Sequence, residues 1–184
     1  MPQLSKRAVI FIVLLVTVVL CGFAAVYYVY LSPTGLRARE SSDLAKTVSE
    51  VPARYTDIDG NAIDLREYDS KVLLVNVWAS WSPFTSQDHE VLSTLKDEFG
   101  DAITIRAVNR MESKETAVAY LETIGRRDGI EYVMDTTDHL YVTQGGYAMP
   151  ETLIFDEVGN LKGHIRGLLN LDQTKAQIKA ILES

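Results

Sequence analysis

The stretch VLLVNVWASWSPFT (72–85) decides the fold of this chain of 184 residues. Its first six residues form a nearly unbroken apolar run, which is typical of a strand buried on both faces of a parallel sheet. A helical pattern over 86–99 follows the loop, with an apolar face formed by Val91, Leu92, Leu95 and Phe99. A buried strand that leads into an amphipathic helix predicts the first half of a βαβ unit.

The chain after residue 51 alternates strand and helix patterns. In chain order we predict two strands flanking the turn at 59–61, the strand and helix above, a strand at 102–108, a helix at 114–124, a strand at 131–135, a helix at 137–143, two strands flanking 157–160, and a helix at 171–182. The order ββ-β-α-β-α-β-α-β-β-α places parallel units first and an antiparallel hairpin last. We therefore expect an α/β fold: a mixed central sheet with helices on both faces and an N-terminal β-hairpin extension.

The N-terminal part contains a long apolar run. Residues 8–31 read AVIFIVLLVTVVLCGFAAVYYVYL, 24 residues without a charged side chain. As a helix this run would extend about 36 Å, enough to cross a bilayer with some tilt. We expect a single transmembrane anchor here. The alternatives are a cleaved signal peptide, which the length of the run disfavours, and a lipoprotein acylated on Cys21, which Leu20 disfavours.

The residues around this run suggest how the chain is organised. Lys6 and Arg7 precede it directly, which favours a cytoplasmic N-terminus at 1–7 and a soluble domain on the extracytoplasmic side of the cell membrane. Ser, Pro, Gly and mixed charges at 32–51 are typical of a linker. The periodic region at 52–184 is then the folded domain.

Composition excludes several kinds of chemistry. The formal net charge of −7 argues against a nucleic-acid-binding surface. Cys21 is the one cysteine, so neither an intramolecular disulfide nor a Cys-based zinc site can form. The sequence DTTDH (135–139) combines acids with a histidine, but this pattern is more typical of a polar helix start than of a metal site. We expect no metal and no cofactor.

Two stretches carry a resemblance to a known family. VLLVNVWASWSPFT (72–85), AMPETLIFDEVGNLKGHIRG (148–167) and the spacing between them resemble the thioredoxin-like superfamily, in particular its membrane-anchored TlpA-like branch. The resemblance covers about 52–184 and implies a thioredoxin-like fold. It also implies kinship with thiol–disulfide oxidoreductases, whose members often assist cytochrome c maturation or other extracytoplasmic thiol chemistry.

The resemblance fails at the two residues that carry the reaction. The family loop reads Trp-Cys-x-x-Cys, whereas here Ser82 and Thr85 take the positions of the two cysteines. In the family a thiolate at the helix N-terminus attacks a disulfide, and the second cysteine resolves the mixed disulfide. A serine hydroxyl forms no such bond, so dithiol exchange at this loop is excluded. We expect Ser82 or Thr85 to cap the helix instead.

The resemblance also implies a binding groove. Met149-Pro150 matches the family's cis-proline, whose preceding backbone can pair with an extended peptide. The apolar rim would consist of Trp81, Pro83, Phe84, Tyr147 and Met149. In the other interpretation Trp78 and Trp81 pack in the core and Pro83 is the first residue of the helix.

Two further polar residues lie near the predicted loop. Asn76 occupies the place of a buried acid in thioredoxins proper, and an amide is usual there in the TlpA-like branch. Asp88 falls where that branch often carries a Glu. Since the loop has no thiol to deprotonate, we expect Asp88 to be a solvated carboxylate in the first turn of the helix.

Three functions remain open. In the first hypothesis, the chain is a membrane-tethered peptide- or protein-binding module without enzymatic activity. Alternatively, it is a thiol or peroxide oxidoreductase or transferase of altered chemistry, in which Ser82 and nearby N–H groups hold a thiolate or an anion, as in some thioredoxin-fold glutathione transferases. In the third hypothesis it is a structural subunit of a membrane complex, acting through 8–31 and the linker.

Overall fold

The apolar run at 72–77 lies in the middle of the sheet in the computed structural model, which describes residues 54–184. The elements of this part of the chain are, in order, β1 (Arg54–Asp57), β2 (Ala62–Asp64), β3 (Val72–Trp78), α1 (Thr85–Phe99), β4 (Ile103–Arg110), α2 (Lys114–Ile124), β5 (Ile130–Asp135), α3 (His139–Thr143), β6 (Glu151–Asp156), β7 (Leu161–Arg166) and α4 (Leu171–Leu182). A 3₁₀ turn at Gly100–Ala102 follows α1.

Within the described residues the strands form one mixed sheet of order β2-β1-β5-β4-β3-β6-β7. Strands β3, β4 and β5 are parallel, whereas β6 is antiparallel to β3 and β1 is antiparallel to β5. The carboxyl ends of β3, β4 and β5 therefore meet the beginnings of β1 and β6 at one edge of the sheet. We call this the C-terminal edge; it is marked by Trp78, Arg110, Asp135 and Glu151.

Apolar side chains fill both faces of the sheet. Helices α1, α2 and α4 cover one face, where Leu92, Leu121 and Ile178 pack on β3, β4 and β5. The other face is covered by α3 and by the segment after β2, through Leu140 and Leu65. The predicted mixed sheet with helices on both faces is thus confirmed.

Side chains cap the N-termini of two of the helices. The Ser113 hydroxyl accepts the backbone N–H of Thr116 at 3.2 Å before α2, and the Asn170 side chain accepts the N–H of Gln173 at 3.0 Å before α4. Each satisfies an N–H group that a helix start leaves without an internal partner. These caps explain why the predicted bounds 114–124 and 171–182 agree with the structure.

Part of the predicted architecture lies outside the described residues. This holds for the N-terminus at 1–7, the transmembrane helix at 8–31, the linker at 32–51 and the first two residues of the predicted domain. Among residues 54–184, none of the helices has the length and apolar character needed to cross a bilayer.

Candidate functional site

Two loops meet at the C-terminal edge, and together they form the candidate site. The first loop joins β3 to α1, and the second ends at Pro150, directly before β6. They are neighbours because Val77 pairs with Glu151 across β3 and β6. The Met149–Pro150 peptide bond is cis, as the resemblance implied.

The polar side chains of the first loop do not cap α1. The helix begins at Thr85 behind Phe84, which makes no side-chain cap. Thr85 is fully buried, and its hydroxyl donates to the carbonyl oxygen of Ala79 at 2.8 Å. Ser82 is 2% exposed, and its Oγ accepts only a long hydrogen bond of 3.4 Å from the N–H of Phe84. The predicted cap is therefore wrong, because both hydroxyls serve the turns of the loop itself.

The apolar residues of the two loops are largely exposed. The exposed fractions of Trp81, Phe84 and Tyr147 are 62%, 46% and 75%. Pro83 is exposed too, and it precedes the helix by two residues, so it is not the first helical residue. The alternative that places Trp81 in the core is wrong, whereas Trp78 is fully buried as that alternative expected.

The second loop contributes one exposed ring and two less accessible residues. Met149 is half-buried and packs against the core on the α3 face, while Pro150 is buried. The guanidinium carbon of Arg166 lies 4.8 Å from the centre of the Tyr147 ring. A cation at that distance from a ring face is attracted to it, which helps to orient the exposed ring.

Asp88 lies under the first loop in a buried polar cluster. Its Oδ2 accepts the Asn76 side-chain N–H at 2.9 Å, and its Oδ1 accepts the backbone N–H of Leu169 at 2.7 Å. Asn76 also donates to the Thr152 hydroxyl at 2.9 Å. Burial raises the pKa of Asp88 to about 6, although these hydrogen bonds act in the opposite direction. The expected solvated carboxylate is wrong, since the chain before α4 covers the first turn of α1.

His89 is the next residue of α1 and is equally buried. Its ring packs edge-on against Trp78 and Tyr132, with centroid distances of 5.1 and 5.5 Å. Burial, with a smaller contribution from Arg127, lowers the pKa of His89 to about 4. The imidazole is therefore neutral at physiological pH and acts as an aromatic core residue beneath the loop.

Glu151 organises the second loop from below. It is buried, and its Oε1 accepts the backbone N–H groups of Tyr147 and Ala148 at 2.9 and 2.8 Å. Its Oε2 lies 2.9 Å from His164 Nε2. Burial alone would raise the pKa of Glu151, but the hydrogen bonds from His164 and the two N–H groups outweigh it, so the pKa lies below its usual value.

Sequence reasoning missed Glu151, and it also missed Glu112. Glu112 follows β4, and its carboxylate accepts the backbone N–H of Ser80 at 2.8 Å and the side-chain N–H of Asn109 at 2.6 Å. It therefore ties the first loop to the end of β4. A carboxylate after a strand resembles any surface acid, so no local pattern could have singled out this role.

The acids of the DTTDH stretch are engaged in local structure. Asp135 accepts the N–H groups of His139 and Leu140 at 3.0 and 2.8 Å at the start of α3. Asp138 is paired with the guanidinium of Arg110. These contacts support the interpretation of this stretch as a polar helix start.

Comparison with known proteins identifies the family of this chain. The sequence pattern of the Redoxin family matches residues 41–182, and the chain belongs to this family. It is 28% identical over 113 residues to the thiol:disulfide interchange protein DsbE of Tatumella citrea, a match that covers 61% of this chain but only 59% of that relative. It is 29% identical over 150 residues to the thiol:disulfide interchange protein HelX of Rhodobacter capsulatus, covering 82% and 79% of the two chains.

The fold is shared with solved structures. The structure of MTB DsbF in mixed oxidized and reduced forms aligns with a TM-score of 0.65 at 15% identity, covering 74% of this chain and 99% of that one. The chain therefore has a thioredoxin-like fold. Its sequence similarity to DsbE and HelX relates it to thiol:disulfide oxidoreductases.

The buried cluster at Asp88 predicts a specific pH dependence. The pKa of Asp88 is about 6 in the folded chain, against a usual value of 3.8, so between these pH values the folded state binds more protons than the unfolded state. The contribution of Asp88 to the free energy of unfolding therefore falls, by roughly 2–3 kcal/mol, as the pH rises from about 4 to about 6. Asp88→Asn should lack this loss, so the stability of the variant relative to wild type should increase over the same range.

Urea denaturation at several pH values measures this difference. Asp156→Asn is the matched control, because hydrogen bonds from Asn160 and Lys162 outweigh burial and hold the pKa of Asp156 below its usual value. Its stabilisation is present above the usual pKa of 3.8 and is lost as the pH falls below it, so the control should show a slope of opposite sign there and little change between about pH 4 and about pH 6. Parallel pH profiles for wild type and Asp88→Asn would contradict the assignment.

The contacts of Glu151 predict that its acceptor oxygen contributes more to the stability of the fold than its negative charge does. Glu151→Ala leaves the N–H groups of Tyr147 and Ala148 without their acceptor, which should lower the free energy of unfolding by about 2–4 kcal/mol. Glu151→Gln keeps an acceptor oxygen and should lose less than half as much. Thermal and urea unfolding measure the loss of free energy of unfolding in each variant. Equal losses in the two variants would mean that the loop does not depend on these hydrogen bonds.

Proposed function

We propose that this chain is a membrane-tethered, extracytoplasmic thioredoxin-like module that binds a polypeptide partner at the C-terminal edge. The observation that carries the proposal is the contrast within the site. The apolar side chains of Trp81, Phe84 and Tyr147 face solvent, whereas the hydroxyls of Ser82 and Thr85 are buried. Exposed aromatic residues that lie together are typical of protein–protein contact surfaces.

The chemistry of the loop supports binding rather than dithiol exchange. No cysteine occurs among residues 54–184, and we place Ser82 and Thr85 at the positions of the two cysteines of the TlpA-like pattern. The thiolate is the reactive species in disulfide exchange. Neither hydroxyl can replace it, and the Thr85 hydroxyl is already bonded to Ala79.

The backbone of the second loop has a suitable place for an extended peptide. Glu151 engages the N–H groups of Tyr147 and Ala148, and the Ala148 carbonyl accepts the hydroxyl of Tyr141 at 3.0 Å. Among the described residues, no hydrogen bond engages the backbone of Met149. An extended partner could therefore pair with Met149, while its side chains contact the aromatic rim.

The site offers less support for the two alternatives. A Ser82-dependent transferase needs an accessible hydroxyl, but Ser82 is 2% exposed. A purely structural role through 8–31 gives no reason for exposed aromatic rings in the two loops of the candidate site. We therefore infer that any chemistry on thiols in the same process is performed by a different polypeptide.

Photo-crosslinking in membranes tests the binding surface. With p-benzoylphenylalanine in place of Phe84 in the full chain, we expect one discrete crosslinked partner, because position 84 lies on the rim. Met149→Asp should reduce that crosslink at least about tenfold, since an unpaired charge would enter the apolar contact. The same probe at Val158, which is 75% exposed in the β6–β7 turn, is the control. Identical products from positions 84 and 158, or a crosslink that survives Met149→Asp, would argue against the surface.

An activity assay tests the absence of dithiol chemistry. Wild-type chain should not accelerate insulin reduction by dithiothreitol above background, because neither Ser82 nor Thr85 can form the mixed disulfide that the reaction requires. Ser82→Ala serves as the control in a panel of small thiols and peroxides. Turnover by wild type that disappears in Ser82→Ala would favour the transferase alternative.

A further inference from the structure

The exposed apolar side chains of this domain gather at the C-terminal edge. Among residues 54–184, eight large apolar side chains are exposed. Val158 lies in the β6–β7 turn at the opposite edge, and Leu182 is the last residue of α4. The other six belong to segments that follow β3, β4, β5 and β7 or precede β6: Trp81, Phe84, Met111, Val142, Tyr147 and Leu168. One edge of the sheet thus carries most of these side chains.

This apolar surface is wider than the aromatic rim of the candidate site. Met111 directly follows β4 and is 65% exposed, and Val142 lies in α3 and is 68% exposed. A hydrogen bond of 2.8 Å from the first loop to Glu112 ties the segment after β4 to that loop. The Tyr141 hydroxyl donates to the Ala148 carbonyl at 3.0 Å, which ties α3 to the second loop. The surface is therefore continuous across the ends of β3, β4 and β5.

The rest of the chain is joined to the domain at this same edge. Strand β1 begins at Arg54, the first described residue. Because β1 is antiparallel to β5 and Thr56 pairs with Met134, Arg54 lies at the end of β5 that belongs to the C-terminal edge. The apolar run at 8–31 is therefore connected to the edge that carries the exposed apolar side chains.

The charged side chains at this edge would not oppose an apolar contact. Arg110 pairs with Asp138, and these side chains are only 15% and 10% exposed. Glu151 is 2% exposed and hydrogen-bonded. Charges that are already paired inside the protein lose little hydration when the surface is covered. The exposed charges at the starts of β1 and α2 belong to long side chains whose tips can stay in water: Arg54, Lys114 and Glu115.

We propose that the C-terminal edge rests on the surface of the lipid bilayer until a partner displaces the lipid. This inference rests on the membrane tether of the proposed function, and it adds a regulation of the same site. Trp and Tyr rings combine an apolar body with a polar tip, so they favour the water–lipid interface. Trp81 and Tyr147 would lie at the level of the headgroups, with Phe84, Met111 and Val142 against the acyl chains.

The tether favours the bilayer over other occupants. With 8–31 as the anchor, 22 residues connect the membrane to the edge. A random chain of that length has a root-mean-square span of about 26 Å, so the bilayer is always within reach of this edge. A second copy of the chain must first be met by diffusion and lacks this effective concentration. An extended peptide at Met149 would cover the rim but leave Met111 and Val142 in water.

The lipid contact would control access to the rim. A partner must displace lipid from the aromatic rings before it can bind, so its apparent affinity is reduced by the fraction of chains whose edge is covered. Partners that themselves reach the headgroup layer would compete best for this surface.

Tryptophan fluorescence tests the contact, because the chain has two tryptophans. Trp78 is fully buried, whereas Trp81 is 62% exposed. The full chain is reconstituted in phosphatidylcholine vesicles whose acyl chains carry bromine near the headgroup, and bromine quenches an indole only at close range. The difference between wild type and Trp81→Phe isolates the emission of Trp81. We expect brominated lipid to lower that emission at least about twofold, since the edge lies at the interface.

Substitutions outside the rim provide the second arm of the experiment. The double variant Met111→Asp/Val142→Asp should recover most of the Trp81 emission, because it places two charges on the surface that meets the acyl chains. Val158→Asp, the same kind of change at the opposite edge, should remain quenched like wild type. The emission of the buried Trp78 verifies that each variant is folded.

The proposal fails if brominated lipid leaves the Trp81 emission unchanged, or if the folded double variant is quenched as strongly as wild type. Trp81 that is shielded from aqueous acrylamide but not quenched by the lipid would assign the edge to a second copy and would equally overturn the proposal. These vesicles contain this chain and lipid alone, so the result is independent of the crosslink at Phe84. Loss of that crosslink with intact quenching would remove only the polypeptide partner.

Discussion

Seven consecutive residues of β3 are buried, so each of their backbone N–H and C=O groups needs a partner inside the sheet. Strand β4 supplies these partners on one side and β6 on the other, in continuous register. Because β4 is parallel and β6 antiparallel, the end of β3 and the beginning of β6 coincide. The two loops of the candidate site are neighbours for this reason, although about 65 residues separate them in the chain.

Buried carboxylates then fix the elements next to each loop. Asp88 connects α1 to the chain before α4 and to β3, while Glu151 holds the backbone before Pro150. A buried carboxylate is costly unless hydrogen bonds satisfy it, and both of these acids accept at least two. The resulting surface has exposed aromatic rings above and hydrogen-bonded carboxylates below. In the proposed function, this surface is the one that contacts the partner.

The periodic patterns of the sequence predicted most of the fold. Helices α2 and α4 have the predicted bounds, and the order of strands and helices agrees throughout the described residues. Local patterns were sufficient here because apolar periodicity and capping residues act over a few positions. The start of α1 was harder: Ser82, Pro83 and Thr85 all favour helix starts, yet the helix begins only at Thr85 because the loop uses both hydroxyls for its own turns.

The sequence by itself determined which chemistry is excluded and which periodic elements form. A chain whose one cysteine is Cys21 has no dithiol at the loop, whatever its conformation. Only the tertiary structure decided the environment of each polar side chain. Asp88 receives a hydrogen bond from Leu169, which is 81 positions away, and Glu151 lies beside His164 on the adjacent strand. Burial arises from contacts between distant segments, so a pattern that extends over one turn of helix cannot distinguish a solvated acid from a buried one.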